Sequence, residues 1–188
     1  PDSALPRFEA IVASTQRLRN APLAEILLLV AVYAIGTLVW QRYVALEAAT
    51  WYAAPSSAGP APTLAGMWYA YVSLPIVQFV KFRWYYRLFL WARLLWKVSR
   101  IDLQLAPLHP DRAGGLGFLA NLGYALTMFA VAHGATTAGY VASRIFHAGA
   151  RLPDFAEEVA ALVVFMVCVI FGPLLVFAPQ LAAARLTG

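Results

Sequence analysis

Apolar residues run in long blocks along this chain, and charge is what separates the blocks. Four stretches carry no Asp, Glu, Lys or Arg: residues 26–41, 48–80, 113–143 and 159–184. A bilayer core of about 30 Å takes roughly 20 helical residues to cross, and each stretch has enough apolar positions to cross it or nearly so. The pattern predicts helical spans at about 23–40, 67–82, 116–141 and 159–181.

Local signals refine these spans. Asn20 is placed to cap the first, with Pro22 in its opening turn. Pro75 is expected to kink the second, and Gly172, Pro173 and Pro179 to bend the fourth. Residues 41–66 form a loop holding the breaker-rich Ala54-Pro-Ser-Ser-Ala-Gly-Pro-Ala-Pro62. Beside it, Trp51 and Tyr52 suit an interfacial aromatic belt. The second span does not end cleanly. Lys81, Arg83, Arg87, Arg93, Lys97 and Arg100 are interleaved with Trp84, Tyr85, Tyr86, Phe89, Trp91 and Trp96. All of these cations but Lys81 fall within an arc of about 140° on a helix. Residues 83–100 therefore read as a basic amphipathic helix, lying among headgroups or carrying the second span on into water.

The fold class expected is all-α: an integral membrane bundle of four transmembrane helices plus this basic helix, in a single transmembrane domain over 1–188. The chain opens without Met and its last residues carry no stop signal, which suggests a segment of a longer polypeptide. Composition agrees with the membrane. Charged residues make up 12% of the chain, against about 25% in a soluble domain, and aromatics reach 14%.

The net charge of +5 does not point to nucleic acid, because the cations flank apolar spans, where they act as topology signals and contacts for anionic phospholipids. With the N-terminus inside, three cations precede span one, seven lie from Lys81 to Arg112, and Arg185 follows span four. Eleven of the fourteen are then cytoplasmic, leaving Arg42, Arg144 and Arg151 outside. This bias places both termini on the cytoplasmic side of an inner membrane.

Candidate chemistry is sparse. Span three carries small residues spaced 3-4-3-4-3 at Ala120, Gly123, Thr127, Ala130, Gly134 and Thr137. Small residues let helix backbones approach in lipid, so this is read as a packing face, with a narrow polar path as the other reading. His133 lies at mid-depth, where ionisable groups are costly and often functional. It is open to a structural hydrogen bond, a proton or ion path, or haem or metal ligation. Glu25, one turn into span one, either faces the headgroups or pairs with Arg83 or Lys81. Gln78 and Thr137 are the other polar groups at depth.

The loop His109-Pro-Asp-Arg-Ala-Gly-Gly-Leu-Gly117 is the least membrane-like sequence. Its GxGxxA spacing from Gly115 lacks the preceding strand that a dinucleotide site needs. Two readings remain: an anion site at headgroup level built from His109, Arg112, Gly114 and Gly115, or a tight turn capped by Asp111. Arg83, Arg87, Arg93 and Lys97 extend the surface offered to lipid anions. Cys168, the one cysteine, reads as a small buried side chain. No catalytic constellation, metal cluster or cofactor motif stands out. Asp154, Glu157 and Glu158 read as a cap at the start of span four.

Three runs, Phe82-Arg-Trp-Tyr-Tyr-Arg-Leu-Phe-Leu-Trp-Ala-Arg93, Trp96-Lys-Val-Ser-Arg100 and Leu108-His-Pro-Asp-Arg-Ala-Gly-Gly-Leu-Gly-Phe118, resemble a family of uncharacterised bacterial multi-span membrane proteins. The resemblance extends from about Leu5 to Leu186 and implies an inner-membrane location and a multi-pass topology. It implies no activity.

Three functions follow as expectations: a transport or channel-type component, a non-catalytic structural or accessory subunit, and a membrane enzyme that binds lipid headgroups. Leftover small-residue seams suggest a homo-oligomer or a place in a larger membrane complex.

Overall fold

The computed structural model describes residues 4–39, 50–54, 56, 61–101, 110, 115–179 and 182. The fold is mostly helical and of the all-α class. Among the described residues it also holds a two-residue antiparallel ladder, β1 (Ala53–Ala54) on β2 (Ala61–Pro62), with Ala53 opposite Pro62 and Ala54 opposite Ala61. The chain divides into two compact units: residues 1–20, 87–134 and 160–188 form one, and residues 21–86 with 135–159 form the other.

The second unit begins with α2 (Pro22–Val39). Proline suits a first helical position because its missing N–H has no partner there anyway. The residue at the cap is Ala21, whose carbonyl accepts from Ala24 N at 3.1 Å. Asn20 is not the cap; its Oδ1 accepts from Arg19 Nε at 3.2 Å instead. After the ladder come α3 (Leu64–Trp68), a π turn (Tyr69–Ser73) and α4 (Leu74–Val98).

These three join without a break, since Trp68, Tyr69 and Leu74 all hold right-handed helical angles. The kink expected at Pro75 takes the form of this π turn. A proline mid-helix donates no hydrogen bond and crowds the carbonyl four residues back. Widening the preceding turn relieves the crowding, and Leu74 N–H reaches back five residues to the Tyr69 carbonyl. The unit's buried apolar residues include Val32, Tyr52, Val141 and Phe155.

The first unit holds α1 (Ala4–Arg19), the remainder of α4, the start of α5 (Leu122–Ala148) and most of α6 (Ala156–Phe171). Its buried apolar side chains are Leu90, Leu95, Ile101, Leu126, Phe129, Met166 and Phe177. Because α4 is continuous to Val98, the basic stretch carries the helix onward rather than forming a separate one.

Boundaries shift from those expected. A 3-10 turn (Gly117–Asn121) precedes α5, which runs past Val141 to Ala148 and ends at Gly149 with a φ of 66°, the left-handed conformation usual after a helix end. A 3-10 turn (Leu152–Phe155) leads into α6. There Asp154 Oδ2 accepts from Arg151 N at 2.8 Å, fixing the start of the helix. At Gly172-Pro173 the α-helix gives way to a further 3-10 stretch (Gly172–Phe177).

By length and composition one continuous helix among the described residues can cross a membrane: Leu152–Phe177, of 26 residues, with only 6% of its apolar window buried. Ala4–Arg19 with Pro22–Gly36 qualifies only as a broken pair. α4 and α5 fall short of the four spans expected. Aromatics, Gln78 and Lys81 dilute the first half of α4, and glycines, threonines and His133 dilute α5. Cys168 is exposed rather than buried. Of the small-residue seam, Thr127 and Gly134 are exposed and Ala130 and Thr137 half-buried, and a Cβ at Gly134 would meet nothing within 4 Å; among the described residues of α5, Leu126, Phe129, His133 and Val141 are buried.

Candidate functional site

Two helix faces and an aromatic lid enclose a cleft of about 500 Å³ in the second unit. From the end of the π turn and α4 it takes Ser73, Leu74, Val77, Gln78 and Lys81, and from α5 Ala135, Thr136, Gly139, Tyr140, Ser143 and Arg144. Both sets repeat at three- and four-residue steps, so each is one face of its helix.

The lid is made of Trp51, Tyr52 and Tyr69. Its ring centroids lie 5.1 Å apart for Trp51–Tyr52 and 5.3 Å for Trp51–Tyr69, both edge-to-face. Thr63 locks it to the helix below: its Oγ1 accepts from Gly66 N at 3.0 Å and donates to the Trp51 carbonyl at 2.8 Å. Thr63 N also donates to the Tyr52 carbonyl at 3.1 Å. Gly66 is packed so closely on that carbonyl that a Cβ would overlap it. Tyr52 is thus a buried lid residue and not part of an interfacial belt; Trp51 remains exposed.

Inside the cleft Lys81 Nζ donates to Thr136 Oγ1 at 3.0 Å. Arg144 stands over the Tyr140 ring at 5.8 Å, and Tyr140 meets Phe155 edge-on at 6.0 Å. Gln78 Oε1 is buried without a hydrogen-bond partner. It is turned toward Gly36, where a Cβ would lie 2.6 Å away. A buried acceptor left unmatched costs about 1–3 kcal/mol.

Just past Lys81, Arg83 Nη2 pairs with Glu25 Oε1 at 2.9 Å, both side chains about half exposed. This is the pairing alternative for Glu25. It gives Arg83 a protein carboxylate as partner, not a lipid anion. Burial pushes the Tyr85 phenol above its ordinary value, keeping it neutral.

The remaining candidates lie elsewhere. His133 is buried in the first unit, where Nδ1 lies 2.8 Å from the Phe129 carbonyl and the ring packs on Phe129 at 4.3 Å. A carbonyl only accepts, so Nδ1 carries the proton. The hydrogen bond closes within its own helix and not across the bundle.

Arg93 does not present its whole guanidinium outward. Its Nη2 donates to Ser14 Oγ at 3.4 Å and its Nη1 is buried without a partner. Arg87 and Lys97 occupy the same helix. Gly115 has a φ of 93°, while His109, Arg112 and Gly114 lie outside the described residues.

Thr137 does not line the cleft. The hydroxyl that does is Thr136, one position away, and the spacing of small residues gave no reason to prefer it. Among the described residues no cluster of His, Cys, Asp and Glu can hold a metal ion. Comparison with protein-family models, with curated proteins and with solved structures returns no match for this chain.

Proposed function

We propose that the chain is a multi-pass inner-membrane protein of the transport or channel type, with four helical spans, both termini cytoplasmic and the α4–α5 cleft as its ligand site. The observation that carries this is the cleft's lining. Polar groups converge on it from two helices, with Lys81 bonded to Thr136 where an ordinary lipid-facing pair would be apolar. The bare apolar surface of α6 supports a lipid environment, since large exposed apolar faces demand cover. The distribution of cations supports the orientation.

The test is transport in proteoliposomes containing the full chain, using panels of anionic, cationic and neutral solutes under chemical and electrical gradients. The wild type is expected to move one class, and Lys81→Met to slow that flux by about tenfold, the effect of about 1.4 kcal/mol. No flux of any solute under any gradient counts against the proposal. The accessory-subunit reading then gains, favoured by the exposed Leu23, Ile26, Leu27 and Val30 on α2, which a partner helix would cover.

A further inference from the structure

The cleft is electrostatically one-sided. Lys81 and Arg144 line it, and none of its described lining residues is Asp or Glu. Lys81 uses one of its three N–H donors on Thr136. Arg144 stacks on Tyr140 and forms no ion pair among the described residues. One helical step away, by contrast, Arg83 has its carboxylate in Glu25. A half-buried cation beside apolar walls favours an anion to face it. Among the described residues Arg83 has that anion in Glu25 and Lys81 has none.

The shape supplies the rest of the ligand. Between Lys81 and Arg144 the walls carry apolar Leu74 and Val77 from α4 and Gly139 from α5, interspersed with Gln78, Tyr140 and Ser143. Thr136 and Arg144 are eight residues apart on α5, a rise of about 12 Å, so the cleft is elongated along the helices, with the aromatic residues forming part of its border. A charged head and an extended apolar body fit it; a small inorganic ion leaves most of it empty.

We infer that this cleft binds an amphipathic organic anion, with a carboxylate or phosphate head at Lys81 and Thr136 and an apolar body along Leu74, Val77 and Gly139. The inference rests on the cleft being a ligand site, as proposed above. The head has two sources of the same chemistry, a bilayer lipid or a free single-chain anion.

The test uses the full chain with Cys168→Ser and Gly139→Cys, in phosphatidylcholine nanodiscs. Gly139 lines the cleft and has open space for a side chain. Alkylation of the new thiol by N-ethylmaleimide is followed by mass spectrometry. Dodecyl phosphate is expected to slow alkylation by about tenfold, and dodecyltrimethylammonium to leave it unchanged. Lys81→Met should remove the protection, Lys81→Arg should keep it, and Thr136→Val should weaken it.

Protection by phosphatidylglycerol in the disc as well as by dodecyl phosphate assigns the head to bilayer lipid. Protection by dodecyl phosphate alone assigns it to a free anion. Equal protection by the cationic amphiphile, equal protection by inorganic phosphate, or protection that survives both Lys81→Met and Thr136→Val overturns the inference while leaving the cleft a site. A thiol that never reacts, in protein that elutes as a single species, means that the cleft is closed and overturns the reading beneath.

Discussion

Arg83 and Glu25 meet at 2.9 Å, tying α2 to the start of the basic half of α4. With both side chains about half exposed, the pair is screened, and its coupling should stay at about 0.2–1 kcal/mol. A double-mutant cycle of Glu25→Gln and Arg83→Gln, read by thermal unfolding in detergent, should give a coupling of that size that shrinks with salt. A salt-insensitive coupling several times larger would mean that the pair is buried in the assembled protein.

Two glycines should respond in opposite senses. Gly66→Ala drives a methyl group into the Tyr52 carbonyl, and overpacking of this kind costs about 1–3 kcal/mol. It should lower the melting temperature and shift Trp51 emission as the lid loosens. Gly134→Ala meets open space inside a helix and should gain about 0.5–1 kcal/mol instead. Melting temperatures of the two variants measured side by side check both signs.

At Gly115 the strain is in the backbone alone. Its φ is 93° and a Cβ would meet nothing within 4 Å. Gly115→Ala should cost about 1–2 kcal/mol, and Gly115→Asn less, because Asn tolerates positive φ. A silent Gly115→Ala in thermal unfolding would mean that the turn relaxes.

His133→Leu should separate packing from transport. The side chain gives up its bond to the Phe129 carbonyl but keeps most of its volume, and an intramolecular hydrogen bond of this kind is worth about 0.5–1.5 kcal/mol net. Stability should fall by that order and any flux in proteoliposomes should persist. Lost flux at unchanged stability would make His133 a path residue.

Orientation is checked by labelling. In a Cys168→Ser background, Ala148→Cys should react with a membrane-impermeant maleimide from outside intact cells, and Asn20→Cys only after lysis. Both positions are exposed. The reverse pattern would invert the topology.

Much of the fold is legible in the sequence because it depends on local rules. The apolar run at 23–40 places α2 to within a residue, whereas the ends of α5 and α6 differ from the expected spans by up to ten residues and α1 lies outside every expected span; Gly172-Pro173 marks where α6 changes form. Glu25 and Arg83 were recognisable as neighbours by depth. The cleft was not legible. Which α5 face looks into it depends on helix rotation, and a one-residue difference exchanges Thr137 for Thr136. The lid was hidden because Thr63 reaches Trp51 across the breaker-rich loop, a contact that no local pattern encodes. Small side chains permit close approach but do not compel it, and at Gly134 a Cβ would meet nothing within 4 Å.

The π turn at Tyr69–Ser73 sets the phase of everything after it. Tyr69 and Lys81 both border the cleft, yet at about 100° per residue a regular helix would leave them facing about 120° apart. The wider turn takes back part of that rotation and keeps the later residues pointing the same way as the earlier ones. Its added residue therefore works as a fixed angular offset, and removing one residue from it would swing Lys81 by about 100° off Thr136. Away from Tyr69 and Ser73, which border the cleft, this short stretch should accept substitutions more readily than deletions.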